Sequence, residues 1–354
     1  MRRPNSWRRL LILGLSVPIL ALNIWILGQL LLYFEQLFTV LTLAAVLALL
    51  LNYLVQGLER LGLKRGQAIL CVLLLTLAIL ALLGFVLVPL VIQQATQLLE
   101  GLPTWLETGN QNLNWLGRFA EQRRIPLNLE QISNQIADQI RGLVGSLPGV
   151  AIGTLGRLLD TILILVLAFY MLFYGGRLWQ GLINLLPVPL GPILSHSLQL
   201  NFQRFFIVQL LLACFMVLAM LPVVLALQIN FGLLFALVIG VAQLIPVIGA
   251  TVGIGIVTLL VMLQNLWLAV QVAIAAVILQ QIKDNVLSPK LLGDVIGLNP
   301  LWQFIALLIG ARVAGLLGAI LSIPIAGTIK ATFEEMREFY QSLAELPRLP
   351  PSSK

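Results

Sequence analysis

The chain has little charge, almost no histidine and almost no cysteine. Only 10% of its 354 residues are Asp, Glu, Lys or Arg, one is histidine and two are cysteine. Each scarcity removes a class of function. A single histidine, His196, allows no His/Cys ligand cluster, no HExxH zinc motif and no serine nucleophile with a histidine base. No GxxxxGK[ST] phosphate loop occurs, which excludes an ATP-driven pump of the usual kind within this chain. Cys71 and Cys214 each lie inside an apolar run, so neither a disulfide framework nor a metal site is implied and both read as packing residues. Intramembrane proteolysis needs paired aspartates inside spans. From Leu158 onward the acids near span ends are Asp160, Asp284 and Asp294, in dissimilar contexts. The reading is therefore of a non-enzyme with no catalytic residue, cofactor or metal.

What the chain has is apolar length. Hydrophobic residues make up 60% and the mean hydropathy is +1.01, against roughly 45–50% apolar residues in soluble domains. Segments such as Leu158–Phe173 are apolar on every face, which suits helices and not the alternating strands of a barrel. The expected class is all-α: a polytopic helical membrane protein partnered by the lipid bilayer. Candidate spans are Leu10–Tyr33, Leu37–Gly57, Gln67–Val91, Leu158–Tyr174, Phe205–Leu227, Phe231–Leu263, Leu266–Ile282 and Leu301–Ile329. Eight segments result if each crosses once. Two are longer than the roughly 30 Å hydrocarbon core requires and carry Pro and Gly at mid-run, so each is either a kinked helix or a re-entrant hairpin.

The net charge of +7 does not point to nucleic acid, because the basic residues gather beside apolar runs. Arg2, Arg3, Arg8 and Arg9, then Arg60, Lys64 and Arg65, then Arg177 and Arg204 fall on one side, which places the N-terminus in the cytoplasm. The run from Leu10 is too long for a signal peptide and reads as the first span. Four regions follow: membrane segments over 1–92, an amphipathic helical extramembrane insert over 93–157, C-terminal membrane segments with broken or re-entrant helices over 158–329, and a polar cytoplasmic tail over 330–354. In the insert, Asn128 can cap a helix whose Leu129, Ile132, Ile136, Ile140 and Leu143 form one apolar stripe. That stripe suits packing within the insert, the membrane surface or a neighbouring subunit. Prolines 187, 189 and 192 suggest a turn followed by a separate interfacial helix before Arg204.

Passage of a solute or ion is the remaining chemistry, and it needs polar groups and broken helices inside the membrane. Two places supply them. One is Gln243 through Gly253, where Pro246 frees backbone carbonyls while Gly249 and Gly253 allow close helix approach, which also suits plain helix packing. The other is Lys283 through Pro300, with Asp284, Asn285, Pro289, Gly293 and Asn299, continuing to Arg312. Arg312 at mid-run is costly facing lipid, so it should face a cavity, an interface or a carboxylate, with Asp284 the first candidate; at a hairpin tip near water that argument weakens.

At these residues the chain resembles the AI-2E family of bacterial transporters, also described as PerM-like permeases. The resemblance runs through Leu244–Gly249, Gln280–Ile282 with Asp284 and Asn285, Pro289–Gly293, Gly297–Pro300, and Gly310 through Gly318 to Ile323–Ala326. It implies a bacterial cytoplasmic-membrane protein, oligomeric, that exports a small polar signal molecule of the autoinducer-2 type or exchanges sodium or lithium for protons. Lys283 stands where the family often has Glu, and Asn299 where it often has His, which removes two groups that titrate near neutral or acidic pH. The leading expectation is an ATP-independent exporter of a small polar solute whose path is lined by Gln243, Asp284, Asn285 and Arg312. A sodium(lithium)/proton antiporter relying on Asp284 or Asp160, and a membrane scaffold acting through its insert, are the alternatives.

Overall fold

The computed structural model describes residues 33–101, 104–105, 154–292 and 297–345, together with 22, 23, 26, 28 and 29 of the first expected span. The arginine-rich N-terminus, the insert's apolar stripe, Gly293, Asp294 and the end of the tail lie outside the described residues.

Eight helices and no strand occur among the described residues, so the all-α polytopic expectation is met. They are α1 (Glu35–Arg60), α2 (Arg65–Gly101), α3 (Thr154–Ile183), α4 (Leu190–Ala226), α5 (Gly232–Ala242), α6 (Gly249–Gln264), α7 (Leu266–Leu291) and α8 (Pro300–Glu345). All except α5 and α6 are long and apolar enough to cross a membrane. At 11 and 16 residues, α5 and α6 reach only about 16 and 24 Å, short of the roughly 30 Å core.

Two packed clusters organise these helices. In the first, Ala44 and Val55 of α1, Ala68 and Val72 of α2 and Ala168 of α3 are wholly buried. Small side chains at the contacts let helix backbones approach, the main source of attraction where lipid is as apolar as the side chains. The second joins Met216, Met220 and Val224 of α4 to Phe235 and Ile239 of α5, Val257 and Val261 of α6, and Val272 and Ala276 of α7. Helix α2 connects the clusters. Its 37 residues extend about 55 Å, and Leu98 near its far end is buried in the second cluster. There Gln94 Oε1 accepts a 2.9 Å bond from the Leu234 amide in the first turn of α5, and the tilted rings of Trp105 and Phe231 meet with centroids 5.5 Å apart.

The connection from α3 to α4 departs from expectation. No separate interfacial helix precedes Arg204: α3 runs through Gly175–Gly176 to Ile183, and α4 is continuous from Leu190. The prolines fit because they cluster at a helix start. Pro187 and Pro189 precede α4, and Pro192 sits in its first turn, where backbone N–H groups have no helical partner to lose.

Both overlong runs are helical hairpins. In the first, α5 and α6 are joined by a tight turn over residues 243–248, and a methyl group at Gly249 would sit 1.7 Å from the Ala242 carbonyl oxygen. The second is internal to α8. Ala314 and Gly315 leave helical geometry, Gly315 with φ 55° and ψ −137°, a conformation open to glycine alone. Residues eight apart on a straight helix lie about 12 Å apart, yet a methyl group at Gly310 would be 2.3 Å from the Gly318 carbonyl oxygen. The chain therefore doubles back at Gly315.

Asn265 separates α6 from α7 and caps α7, its Oδ1 accepting from Trp267 N at 2.9 Å and Leu268 N at 3.2 Å. Replacing Asn265 with Ala should lower stability by about 1 kcal/mol, read as a lower thermal midpoint in detergent with the fold otherwise unchanged.

Candidate functional site

The turn of the first hairpin, the π-helical stretch of α7 and the start of α8 converge on one cavity of about 440 Å³. That volume lies in the range of small-molecule sites. Its polar lining comes from Gln209 on α4, Gln243 at the hairpin turn, Gln280, Lys283, Asp284 and Ser288 along α7, and Gln303 on α8. Lys283 and Asp284 are the only charged residues among the described lining side chains, and their formal charges cancel.

Local backbone chemistry explains this convergence. Pro246 has no N–H and interrupts the helix that ends at Ala242. The following residue, Val247, adopts φ 66°, and Ile248 N bonds Pro246 O at 2.7 Å, forming a left-handed three-residue turn. A β-branched residue rarely accepts that conformation, so the turn holds strain next to the cavity. The Gln243 backbone carbonyl accepts a hydrogen bond from Gln209 Nε2 across on α4. In α7 the helix widens to a π-turn over Lys283–Leu287. One extra residue in a turn rotates the following side chains by about 100°, and such bulges recur at functional sites. Here the Lys283 side chain is 10% exposed while that of Asp284 is 48% exposed.

Four side chains close into a ring. Lys283 Nζ donates to Gln243 Oε1 at 2.9 Å and pairs with Asp284 Oδ1 at 2.9 Å. Gln280 Nε2 donates to Asp284 Oδ2 at 2.9 Å, and Gln243 Nε2 donates to Gln280 Oε1 at 3.1 Å. Lysine can only donate and an ionised aspartate only accept, so the two ends of the ring fix which way both amides point. The cavity wall formed by Gly297 and Leu298 is held from α8. Gln303 Nε2 donates to Leu298 O at 3.0 Å and Lys330 Nζ to Gly297 O at 2.7 Å.

The structure brings only some of the sequence candidates together. Gln243, Pro246 and Asp284 line the cavity. Gly249 and Gly253 lie behind it, packing α6 against α5. Asn285 bonds Gln281 Oε1 at 2.8 Å on the exposed side of α7, and Pro289 is exposed beside Ser288. Asn299 caps α8, accepting from Leu301 N at 2.9 Å, and Pro300 opens that helix. Arg312 does not meet Asp284; it is exposed, three residues before the hairpin reversal at Gly315, while Asp284 pairs with Lys283. Asp160 lies on α3, away from the cavity lining.

The family model described as AI-2E family transporter matches residues 15–338. The chain belongs to the AI-2E family. Two Synechocystis sp. proteins named for transport are similar to it over most of their length. One is 41% identical over 94% of this chain and 86% of its own, the other 33% identical over 92% and 96%. A Halobacillus andaensis sodium-lithium/proton antiporter is 35% identical over 25% of this chain and 26% of its own.

This AI-2E family chain is thus a multi-pass membrane transport protein, and its cavity uses residues that the sequence reading passed over. Gln209 and Gln303 are isolated amides in apolar helices, a signal that was available. Gln280 lies four residues before Asp284, the helical spacing that lets their side chains bond.

Proposed function

We propose that this AI-2E transporter carries a small, uncharged polar solute of the autoinducer-2 type out of the cell without ATP. The observation that carries the reading is the closed, charge-neutral ring at a hairpin turn. An amide-rich neutral site offers hydrogen bonds to hydroxyl and carbonyl groups while favouring neither anion nor cation. Backbone broken within an apolar bundle is tolerated where it lines a cavity, and the first hairpin breaks there. The protein acts as a carrier, not as an enzyme, in the bacterial cytoplasmic membrane with its N-terminus inside, and assembles with further copies of itself.

Efflux of labelled autoinducer-2 from preloaded proteoliposomes tests this. Wild type should empty the vesicles well above protein-free controls. Asp284→Asn, which keeps the shape but removes the negative charge beside Lys283 and one of the two oxygens that accept from Lys283 and Gln280, should slow efflux about tenfold. Equal efflux with and without protein sinks the reading.

The cation/proton antiporter remains as a second reading because Asp284 places a half-exposed carboxylate at the cavity and a relative matching one quarter of the chain bears that name. It requires sodium- or lithium-dependent dissipation of a pH gradient, which the neutral-solute reading expects to be absent.

A further inference from the structure

The Lys283 ammonium is held between two side-chain oxygens. Two oxygens on separate elements, Gln243 Oε1 from the first hairpin and Asp284 Oδ1 from α7, each lie 2.9 Å from Nζ. The ring turns the Gln243 amide so that its oxygen, and not its NH₂, faces that point. Carboxylate and amide oxygens aimed at one buried position are the donor types that hard cations take. The single carboxylate calls for a single positive charge, and the lysine supplies it.

We propose that Lys283 is a tethered cation that permanently fills a sodium- or lithium-type position and so releases this transporter from dependence on a cation gradient. The inference rests on the cavity being the solute site, and it adds how that site is energised. With the charge covalently held, Asp284 is neutralised at every stage of transport and no ion need enter or leave with the solute. Truncating the lysine leaves Asp284 and Gln243 Oε1 facing a cavity large enough for water to complete an ion's coordination shell.

The experiment follows the thermal midpoint of purified protein at constant ionic strength, comparing sodium or lithium chloride with N-methyl-D-glucamine chloride. Lys283→Ala should gain a saturable rise in midpoint with sodium or lithium that wild type lacks, since a ligand bound only by the folded state stabilises it. Adding Asp284→Asn to that variant should abolish the gain. An unchanged midpoint for Lys283→Ala in all three salts overturns the proposal, as does the same rise in wild type. Should Lys283→Ala not fold, wild-type efflux decides: equal rates in sodium and in N-methyl-D-glucamine media support a tethered cation, and a severalfold sodium requirement overturns it. Absence of any efflux strikes the transport reading alone, and the midpoint assay, run on Lys283→Ser where the alanine variant does not fold, judges the cation site.

Discussion

A valine at Gly318 is expected to cost about 3 kcal/mol, a large share of the roughly 5–15 kcal/mol that holds a typical domain folded. The cause is local and rigid. The first added carbon would lie 2.0 Å from the Gly310 carbonyl oxygen and 2.7 Å from its carbon, and both neighbours are backbone. No side-chain rotation relieves such a contact, so the two arms of the α8 hairpin must separate. That separation disturbs Ser322, buried beside Gly310, and Ile323, which lines the cavity. Thermal unfolding in detergent, with recovery of monodisperse protein, measures the loss. Gly255→Ala is the matched control: nothing lies within 4 Å of its added carbon, and replacing a helical glycine there should leave stability equal or raise it by up to about 1 kcal/mol. Equal midpoints for Gly318→Val and wild type would remove close backbone contact as the basis of the hairpin.

Gln243→Leu should abolish most transport while leaving the protein folded. Gln243 is 2% exposed and joins the hairpin turn to α7 through both ends of its amide. Leucine has similar bulk but gives Lys283 no oxygen and Gln280 no donor. Bonds to charged groups are worth about 1.5–3 kcal/mol, so efflux should fall roughly ten- to a hundredfold if the ring is needed at the rate-limiting step. Gln243→Glu separates the two bonds. It keeps an acceptor for Lys283, loses the donor to Gln280, and should retain more activity than leucine. Wild-type efflux by the leucine variant would show the ring to be architecture alone.

The fold was legible in the sequence where apolar length decides it. Leu37–Gly57 and Gln67–Val91 fall within α1 and α2, and the expected Leu266–Ile282 segment is the start of α7. Hairpins were readable as one of two options, because Pro246 and Gly315 break a helix but do not state the angle. Only the close approach of Gly249 to Ala242, and of Gly310 to Gly318, resolves a bend into a reversal. Helix α4 runs through a stretch whose proline density argues against a helix, because a proline in the first turn costs no helical bond.

The site was legible as residue types and illegible as pairs. Gln243 and Asp284 drew attention as polar groups in apolar surroundings, and both line the cavity. Arg312 drew attention for the same reason and lies elsewhere, because the reversal at Gly315 carries it to an exposed position. In the sequence Lys283 is a departure from a family pattern, and its partner 40 residues away is invisible without the hairpin that brings Gln243 to it.

The bond from Gln94 on α2 to the Leu234 amide gives helix α5 a mechanical role. Its first turn is gripped by α2 and its last residue adjoins Gln243, so an 11-residue rod joins that grip to the ring. A short helix of about 16 Å bends little, and a sideways push on one end must tilt the other. The Gln94 contact and the ring are therefore the two ends of one stiff element.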